Sequence, residues 1–368
     1  MGRLTVVQLL PALDAGGVEQ STIEIAEALV RAGHRALVVS AGGRLLPRLR
    51  ATGAEHVALD IGRKSPWVFR HVPALRRLFA GADIVHARSR LPAWLAWRAL
   101  RGMPGARPAF VTTVHGLNSP SRYSAAMTRG TRVVCVSETV RAYLLAHYPQ
   151  VDPARLVVIP RGIDPARFPR VPAVDRATRA ALAQALPALA GEGPLLLLPG
   201  RGTRLKGHGD ALALLARLRA DGLDARLWMP GAAQDDRRDY LAELQAQAAE
   251  LGVAEAVGIT APTDAIAQAY AACDLVLQLS RKPEAFGRTV VEALAVGRPV
   301  LGWAHGGVGE LLAQLQPEGA VTPFDADALH ATARALLAAA PLPPAAMPYT
   351  LQAMQDATLD LYRSLVAA

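Results

Sequence analysis

Short apolar runs rich in Val, Ile and Leu recur along the whole chain, separated by longer stretches with helical spacing. In the first half they are Leu4–Leu10, Arg35–Val39, His56–Leu59, Ile84–His86, Phe110–Val114, Val133–Val136 and Leu156–Ile159. Runs of this length bounded by turn residues predict buried strands. Between them lie amphipathic segments such as Gln20–Arg31, whose Ile23, Ala26, Ala28, Leu29 and Val30 are apolar and whose end Gly33 can cap. Strand alternating with helix predicts right-handed crossovers and a parallel, doubly wound α/β sheet. The second half repeats the pattern, with strands expected at Leu195–Leu198, Ala225–Met229, Val257–Ile259, Leu275–Leu279, Pro299–Leu301 and Ala320–Thr322. Two Rossmann-like lobes follow.

Proline-rich joints at residues 165–172 and 341–348 set the expected boundaries. The first lobe should span 1–168 and the second 169–345. Residues 346–368, with a helix at about Leu351–Val366, should return to the first lobe. A chain of 368 residues exceeds what one core usually serves, and 51% hydrophobic with 19% charged residues excludes disorder. No apolar run reaches the ~18 residues of a membrane span, so neither a spanning helix nor a signal peptide is expected. Cys135 and Cys273 sit in separate apolar runs and read as buried free thiols of a reducing compartment, not as a disulfide or metal site.

Charge divides the chain unequally. Residues 1–170 hold 24 Lys+Arg against 10 Asp+Glu, whereas residues 171–368 hold 16 against 21. Arg44–Arg107 alone contains 13 basic and 3 acidic residues, which points to a phosphate-rich or otherwise anionic partner. A bias toward Arg over Lys accounts for the choice of cation but not for the shortage of acids. Nucleic acid is disfavoured, because no aromatic platform or helix-turn-helix pattern accompanies the charge.

Three segments carry candidate chemistry. Asp14-Ala15-Gly16-Gly17-Val18-Glu19 links the first strand to a helix, and its adjacent glycines allow a ligand close to free backbone N–H groups. It is neither a GxGxxG nor a Walker A loop, and by itself it reads equally well as a tight turn. Gly200-Arg201-Gly202-Thr203-Arg204-Leu205-Lys206-Gly207 follows the first strand of the second lobe, where Arg201 and Lys206 suit a diphosphate, one as planar fork and one as point charge. Lys282–Val300 places Glu284 in a loop and Glu292 one turn into a helix beginning near Arg288, so two carboxylates approach the ligand-binding edge. His305-Gly306-Gly307-Val308-Gly309-Glu310 offers further N–H groups at the next helix start.

The spacing from Glu284 to Glu292 resembles the Glu-x7-Glu signature of retaining glycosyltransferase family 4, whose members share the two-lobed GT-B fold with the lobes facing a cleft. Gly16-Gly17-Val18-Glu19, Val136-Ser137-Glu138, Ile159-Pro160-Arg161-Gly162-Ile163-Asp164 and the pair Arg201 and Lys206 are similar to further markers of that family, over residues 4–335. Arg161 departs from the Asn common there. The resemblance implies a nucleotide-sugar donor held by Gly16, Gly17, Arg201, Lys206, Glu284, Glu292 and the backbone of Phe286 and Gly287, and a glycan or lipid-linked acceptor. It implies catalytic parts for His115, Glu284, Lys206 and Arg201, with Glu284 on sugar hydroxyls, Glu292 on the ribose and His115 beside the reacting sugar. On its residue type alone, a lone His after a strand reads as structural. Ile84-Val85-His86-Ala87-Arg88-Ser89-Arg90-Leu91-Pro92-Ala93-Trp94 looks like a variant from relatives that build lipopolysaccharide or other envelope glycans. Trp94 and Trp97, at helical spacing, read as core or interface.

No cofactor and no metal are expected. Asp325-Ala326-Asp327 has the form of a metal-binding Asp-x-Asp but begins a helical pattern and reads as an N-cap. The basic first lobe suggests a cytoplasmic protein held peripherally on the inner face of an anionic membrane. An epimerase or glycan phosphorylase on the same scaffold, or a non-catalytic nucleotide-sugar binder, remains open, because fold does not dictate chemistry.

Overall fold

A computed structural model of the chain describes residues 2–14, 16–344 and 346–367; Ala15 of the glycine loop, Ala345 of the second proline-rich joint, Met1 and Ala368 lie outside them. The chain divides into two compact units, residues 1–162 with 351–368, and residues 163–350.

The first unit holds a parallel sheet of seven strands: β1 Thr5–Leu9, β2 Arg35–Ser40, β3 Glu55–Ala58, β4 Ile84–Ala87, β5 Ala109–Val114, β6 Arg132–Cys135 and β7 Leu156–Val158, ordered β3-β2-β1-β4-β5-β6-β7. The second holds β8 Leu195–Leu197, β9 Arg226–Pro230, β10 Val257–Thr260, β11 Leu275–Gln278, β12 Val300–Trp303 and β13 Ala320–Val321, ordered β10-β9-β8-β11-β12-β13. Each predicted strand is present, shifted by a residue or two at its ends. In each sheet the chain winds outward to one edge, returns to the middle and winds to the other. The winding reverses between β1 and β4 in one unit and between β8 and β11 in the other. At such a switch point the loops beyond the strand ends diverge and leave a crevice for ligands.

Burial explains the all-apolar strands. Val6, Val7, Leu9, Val38 and Val39 in one sheet, and Leu195, Leu196, Leu197, Val276 and Leu301 in the other, are wholly buried, as helices on both faces of a parallel sheet require. Each such side chain contributes about 1.5–3 kcal/mol. The helix Gly17–Arg31 ends where Gly33, at φ 79°, donates its N–H to Val30 O at 2.9 Å. Cys135 and Cys273 are buried and unpaired, and burial pushes the Cys135 thiol up to about 12.

The unit boundaries fall at 162/163 and 350/351, earlier and later than the prolines suggest. Ile163 donates its N–H to Tyr349 O at 3.0 Å, and Phe168 packs against Tyr270, so residues 163–168 join the second unit. Tyr349 packs edge-on to Phe286, 5.6 Å between centroids, which keeps the stretch before Leu351 there too. The helix Leu351–Ala367 then joins the first unit, where Met354, Leu359 and Tyr362 complete the core and Gln355 donates to Glu24 O at 2.8 Å. Trp94 and Trp97 are half-buried and in edge-to-face contact, with the Arg129 guanidinium 3.9 Å from the Trp97 ring centre. Among the described residues no helix is long and apolar enough to cross a membrane.

Candidate active site

In the second unit, the loops that leave β8 and β11 meet at the switch point. Lys206 on the first donates from Nζ to Glu284 Oε1 on the second at 2.6 Å, with both side chains about three-quarters buried. The Ser280 hydroxyl also donates to Glu284 Oε1. Partial burial strengthens this ion pair relative to a surface one and fixes the direction of the carboxylate. Arg201, five residues before Lys206, is exposed and has no side-chain partner among the described residues.

The loop carrying Glu284 is set by close backbone approach. Gly307 donates its N–H to Glu284 O at 2.7 Å, and a Cβ on Gly307 would lie 2.5 Å from Phe286 Cα. Gly287, at φ 109°, then turns the chain into the helix Arg288–Val296, a conformation L side chains rarely adopt. Phe286 turns its ring inward onto Tyr349 and is buried, so what it offers a ligand is backbone. Glu292 is one turn into that helix. Its Oε2 accepts from the Tyr270 hydroxyl at 3.0 Å and its Oε1 from Arg288 Nε at 3.2 Å. Burial raises its carboxyl above the ordinary range, against the pull of Arg288 and Tyr270. Arg201, Lys206, Glu284, Gly287 and Glu292 therefore lie on the loops and the helix start beyond β8 and β11.

In the first unit, Gly16 and Gly17 open the helix after β1, and His115 follows β5. Arg161 Nη2 lies 2.7 Å from His115 Nδ1 and 3.2 Å from Gly17 O. A guanidinium only donates, so Nδ1 must accept and the ring's proton sits on Nε2. Burial, with Arg161, Arg88 and His86 nearby, holds His115 well below the usual histidine range and hence neutral.

Several residues of these sites escaped the sequence reading. Gln278 ends β11 and lies 3.5 Å from Glu284 Oε2, Tyr270 holds Glu292, and His86 in β4 bridges the Tyr362 hydroxyl and the Thr113 hydroxyl, each at 2.6 Å. The signal for His86 and Gln278 is a polar residue inside an otherwise apolar strand, as in Val85-His86-Ala87 and Leu277-Gln278-Leu279, whereas Tyr270 lies in the helix Ile266–Ala272 and carries no such mark. Asp325 accepts from the N–H groups of Asp327 and Ala328, the N-cap its sequence position predicts. Among the described residues no three His, Cys, Asp or Glu side chains are grouped as metal ligands.

Two family models match in sequence: Glycosyltransferase Family 4 over residues 15–167 and Glycosyl transferases group 1 over residues 184–347. The chain belongs to the family 4 glycosyltransferases. Its fold is GT-B, as the resemblance implied. A glycosyltransferase from Rickettsia africae, solved as a crystal structure, superposes with a TM-score of 0.83 at 26% identity, covering 100% of this chain and 99% of that one. Anabaena HepE, crystallised with UDP and glucose, shares the fold with a TM-score of 0.79 at 21% identity over 98% of this chain and 100% of its own. A D-inositol 3-phosphate glycosyltransferase from Jonesia denitrificans is 36% identical over 162 residues, 43% of this chain and 37% of that protein. The chain spans 37% to 54% of the length of the first curated relatives it matches.

Proposed function

We propose that the protein transfers a glycosyl group from a nucleotide-sugar donor to a glycan or lipid-linked acceptor, retaining anomeric configuration and using no divalent metal. The observation that carries this reading is the Lys206–Glu284 contact at the switch point of the second unit. A diphosphate arriving there takes over the Lys206 ammonium and the exposed Arg201 guanidinium, and Glu284 is left to accept hydrogen bonds from sugar hydroxyls. Glu292 suits the ribose and the backbone of Phe286 and Gly287 suits phosphate and sugar oxygens, while the family resemblance supports a part for Gly16, Gly17 and neutral His115 of the first unit in holding the donor. The glycosidic carbon's bond to phosphate breaks with its electron pair leaving on the diphosphate. The acceptor oxygen bonds to that carbon on the same face, and its proton passes to the departing phosphate oxygen. Two cations at the leaving group can do the work a metal does elsewhere.

Supporting the donor class is HepE, seen with UDP and glucose; supporting transfer is the name of the Jonesia relative. Incubation of the protein with nucleotide sugars, with and without acceptor, tests it. Product of retained configuration by NMR, formed in chelator, is the expected result; inverted product or a requirement for magnesium overturns the mechanism. Epimerised donor or phosphorolysis in place of transfer would establish the other chemistries of this scaffold. The Ile84–Trp94 segment supports an acceptor of the bacterial lipopolysaccharide or envelope type.

A peripheral place on the inner face of the cell membrane belongs to the same proposal. The turn Pro66–His71 leaves Trp67 77% and Phe69 44% exposed, flanked by exposed Arg63, Lys64, Arg70 and Arg77. An apolar wedge ringed by cations suits an anionic lipid surface, where each cation contributes about 1 kcal/mol within a Debye length of ~8 Å. Co-sedimentation with anionic but not neutral vesicles, weakened by salt and by Trp67→Ala, is expected; equal binding to both vesicle types overturns the proposal.

A further inference from the structure

Glu284 is gripped by one of its two oxygens. Its Oε1 accepts from Lys206 Nζ at 2.6 Å and from the Ser280 hydroxyl, while its Oε2 faces the Gln278 side-chain amide 3.5 Å away and meets no closer donor among the described residues. Gln278 is 5% exposed and Ser280 4%, so both stand behind the carboxylate and not at the surface. The other residues of β11, Leu275, Val276 and Leu277, are apolar and buried. An amide placed among them costs free energy unless its hydrogen bonds are made. Across β12 its register partner is Gly302, which has no side chain to make them.

Ser280 supplies them. Its Oγ lies against Glu284 Oε1 and 3.0 Å from the Gln278 amide. A hydroxyl has one proton and two lone pairs, and the charged oxygen, as the stronger acceptor, takes the proton. The amide can then meet Ser280 only by donating to it, which puts its NH2 on Ser280 Oγ and its carbonyl towards Glu284 Oε2. A chain of hydrogen bonds results, from Gln278 to Ser280 to Glu284, in which each bond polarises the next. While Lys206 is paired with Glu284, the ammonium carries much of the hold on the carboxylate. Once a diphosphate takes Lys206, Ser280 is the one donor left on Oε1 among the described residues, and Gln278 is what keeps its hydroxyl from turning away.

We infer that Gln278 is a positioning residue for the donor sugar: through Ser280 it holds Glu284 in place, with Oε2 free for sugar hydroxyls, after Lys206 has moved to the diphosphate. The inference rests on the donor reading above for the sugar, whereas the chain from Gln278 to Glu284 stands on the geometry of the second unit alone. Its effect belongs to the nucleotide sugar and not to the nucleotide, because the diphosphate engages Lys206 whether or not a sugar follows it.

Two measurements on the full chain test it. Without ligand, NMR of the side-chain amides should show one Gln278 proton shifted downfield by its bond to Ser280, a shift lost in Ser280→Ala. With ligand, calorimetry compares UDP, GDP and ADP with their glucose, galactose, mannose and N-acetylglucosamine esters, and the pair that the parent protein separates most is taken forward. Gln278→Met keeps the shape and removes the hydrogen bonds. It should weaken nucleotide-sugar binding about tenfold while the affinity for the nucleoside diphosphate stays as in the parent. Gln278→Glu, which draws the Ser280 proton to itself and sets a second negative charge beside Glu284, should lose more. Ser280→Ala added to Gln278→Met should cost little further, since the two residues act as one chain. Should Gln278→Met fail to fold, Ser280→Ala alone must show the same split between nucleotide sugar and diphosphate. A folded Gln278→Met protein that binds nucleotide sugar as the parent does, that loses the diphosphate equally, or that loses more than Gln278→Glu overturns the inference. A parent protein that binds no nucleotide sugar sinks the donor reading instead, and the amide shift then decides the hydrogen-bond chain by itself.

Discussion

The two switch points obey one topological rule and arrange their charges differently. Beyond β8 and β11, cation and carboxylate are both supplied by the chain, and Lys206 holds Glu284 at 2.6 Å. Beyond β1 and β4, Arg88 has no carboxylate partner among the described residues, and the His115 that Arg161 holds is neutral. A site that carries both signs can stay closed on itself until a ligand with both diphosphate and hydroxyls exchanges for the internal pair. The first site carries both signs as well, Glu24 attracting Arg88 and Glu19 interacting with Arg161, but among the described residues no ion pair locks them together. The difference parallels the net charges of the two halves, +14 and −5.

The largest expected effect breaks the second site. Glu284→Ala and Lys206→Ala each remove one half of the pair, and loss of a group that stabilises developing charge costs about 2.7–4 kcal/mol, or roughly 10²–10³ in kcat. Circular dichroism and melting temperature should show the fold retained, and a well-folded variant with near-normal turnover removes the residue from the mechanism.

Next comes acidity. His208, at the start of the helix after the Lys206 loop, is fully buried, and burial lowers it from 6.5 to about 4. A depressed folded-state pKa means the unfolded chain binds the proton first, so stability is whole above pH 6.5 and falls as pH descends toward 4, by up to roughly 3 kcal/mol. His86 and His115 are also lowered, so the first unit should lose stability over the same descent from 6.5. Urea titrations between pH 7 and pH 4 should show this, with a shallower slope in His208→Gln; an unchanged slope shows that His208 does not contribute.

Tyr362→Phe sharpens the contrast from the other side. It leaves His86 Nδ1 buried without its 2.6 Å partner, a loss of about 1–3 kcal/mol confined to the first unit. Among the described residues Tyr362 makes no hydrogen bond or ring contact with those proposed to hold the donor, so donor affinity should not change. A weakened donor affinity in a folded Tyr362→Phe protein would mean that the His86–Tyr362 contact also supports the donor.

Asp325→Ala is the smallest change, about 1 kcal/mol for a lost N-cap. Activity in chelator should be the same as in the parent, because Asp325 already spends its carboxylate on the N–H groups of Asp327 and Ala328.

The alternation of apolar runs and amphipathic segments determined both sheets, because a strand buried on two faces admits almost no polar residue. The Glu284 to Glu292 spacing and the Arg201 and Lys206 loop were legible for the same local reason, since all follow a strand end directly. Other features required the folded chain. That the joint at 163–168 belongs to the second unit was decided by Ile163 meeting Tyr349 and Phe168 meeting Tyr270, contacts 186 and 102 residues apart. Likewise Arg88, one arginine among many in a basic segment, became distinct only when the winding of β1 beside β4 carried it under Ser21 and into the reach of buried Glu24. Local pattern encodes which face a residue turns inward; what it meets there depends on partners far away in the chain, and the free energy of a buried charge is set by those partners.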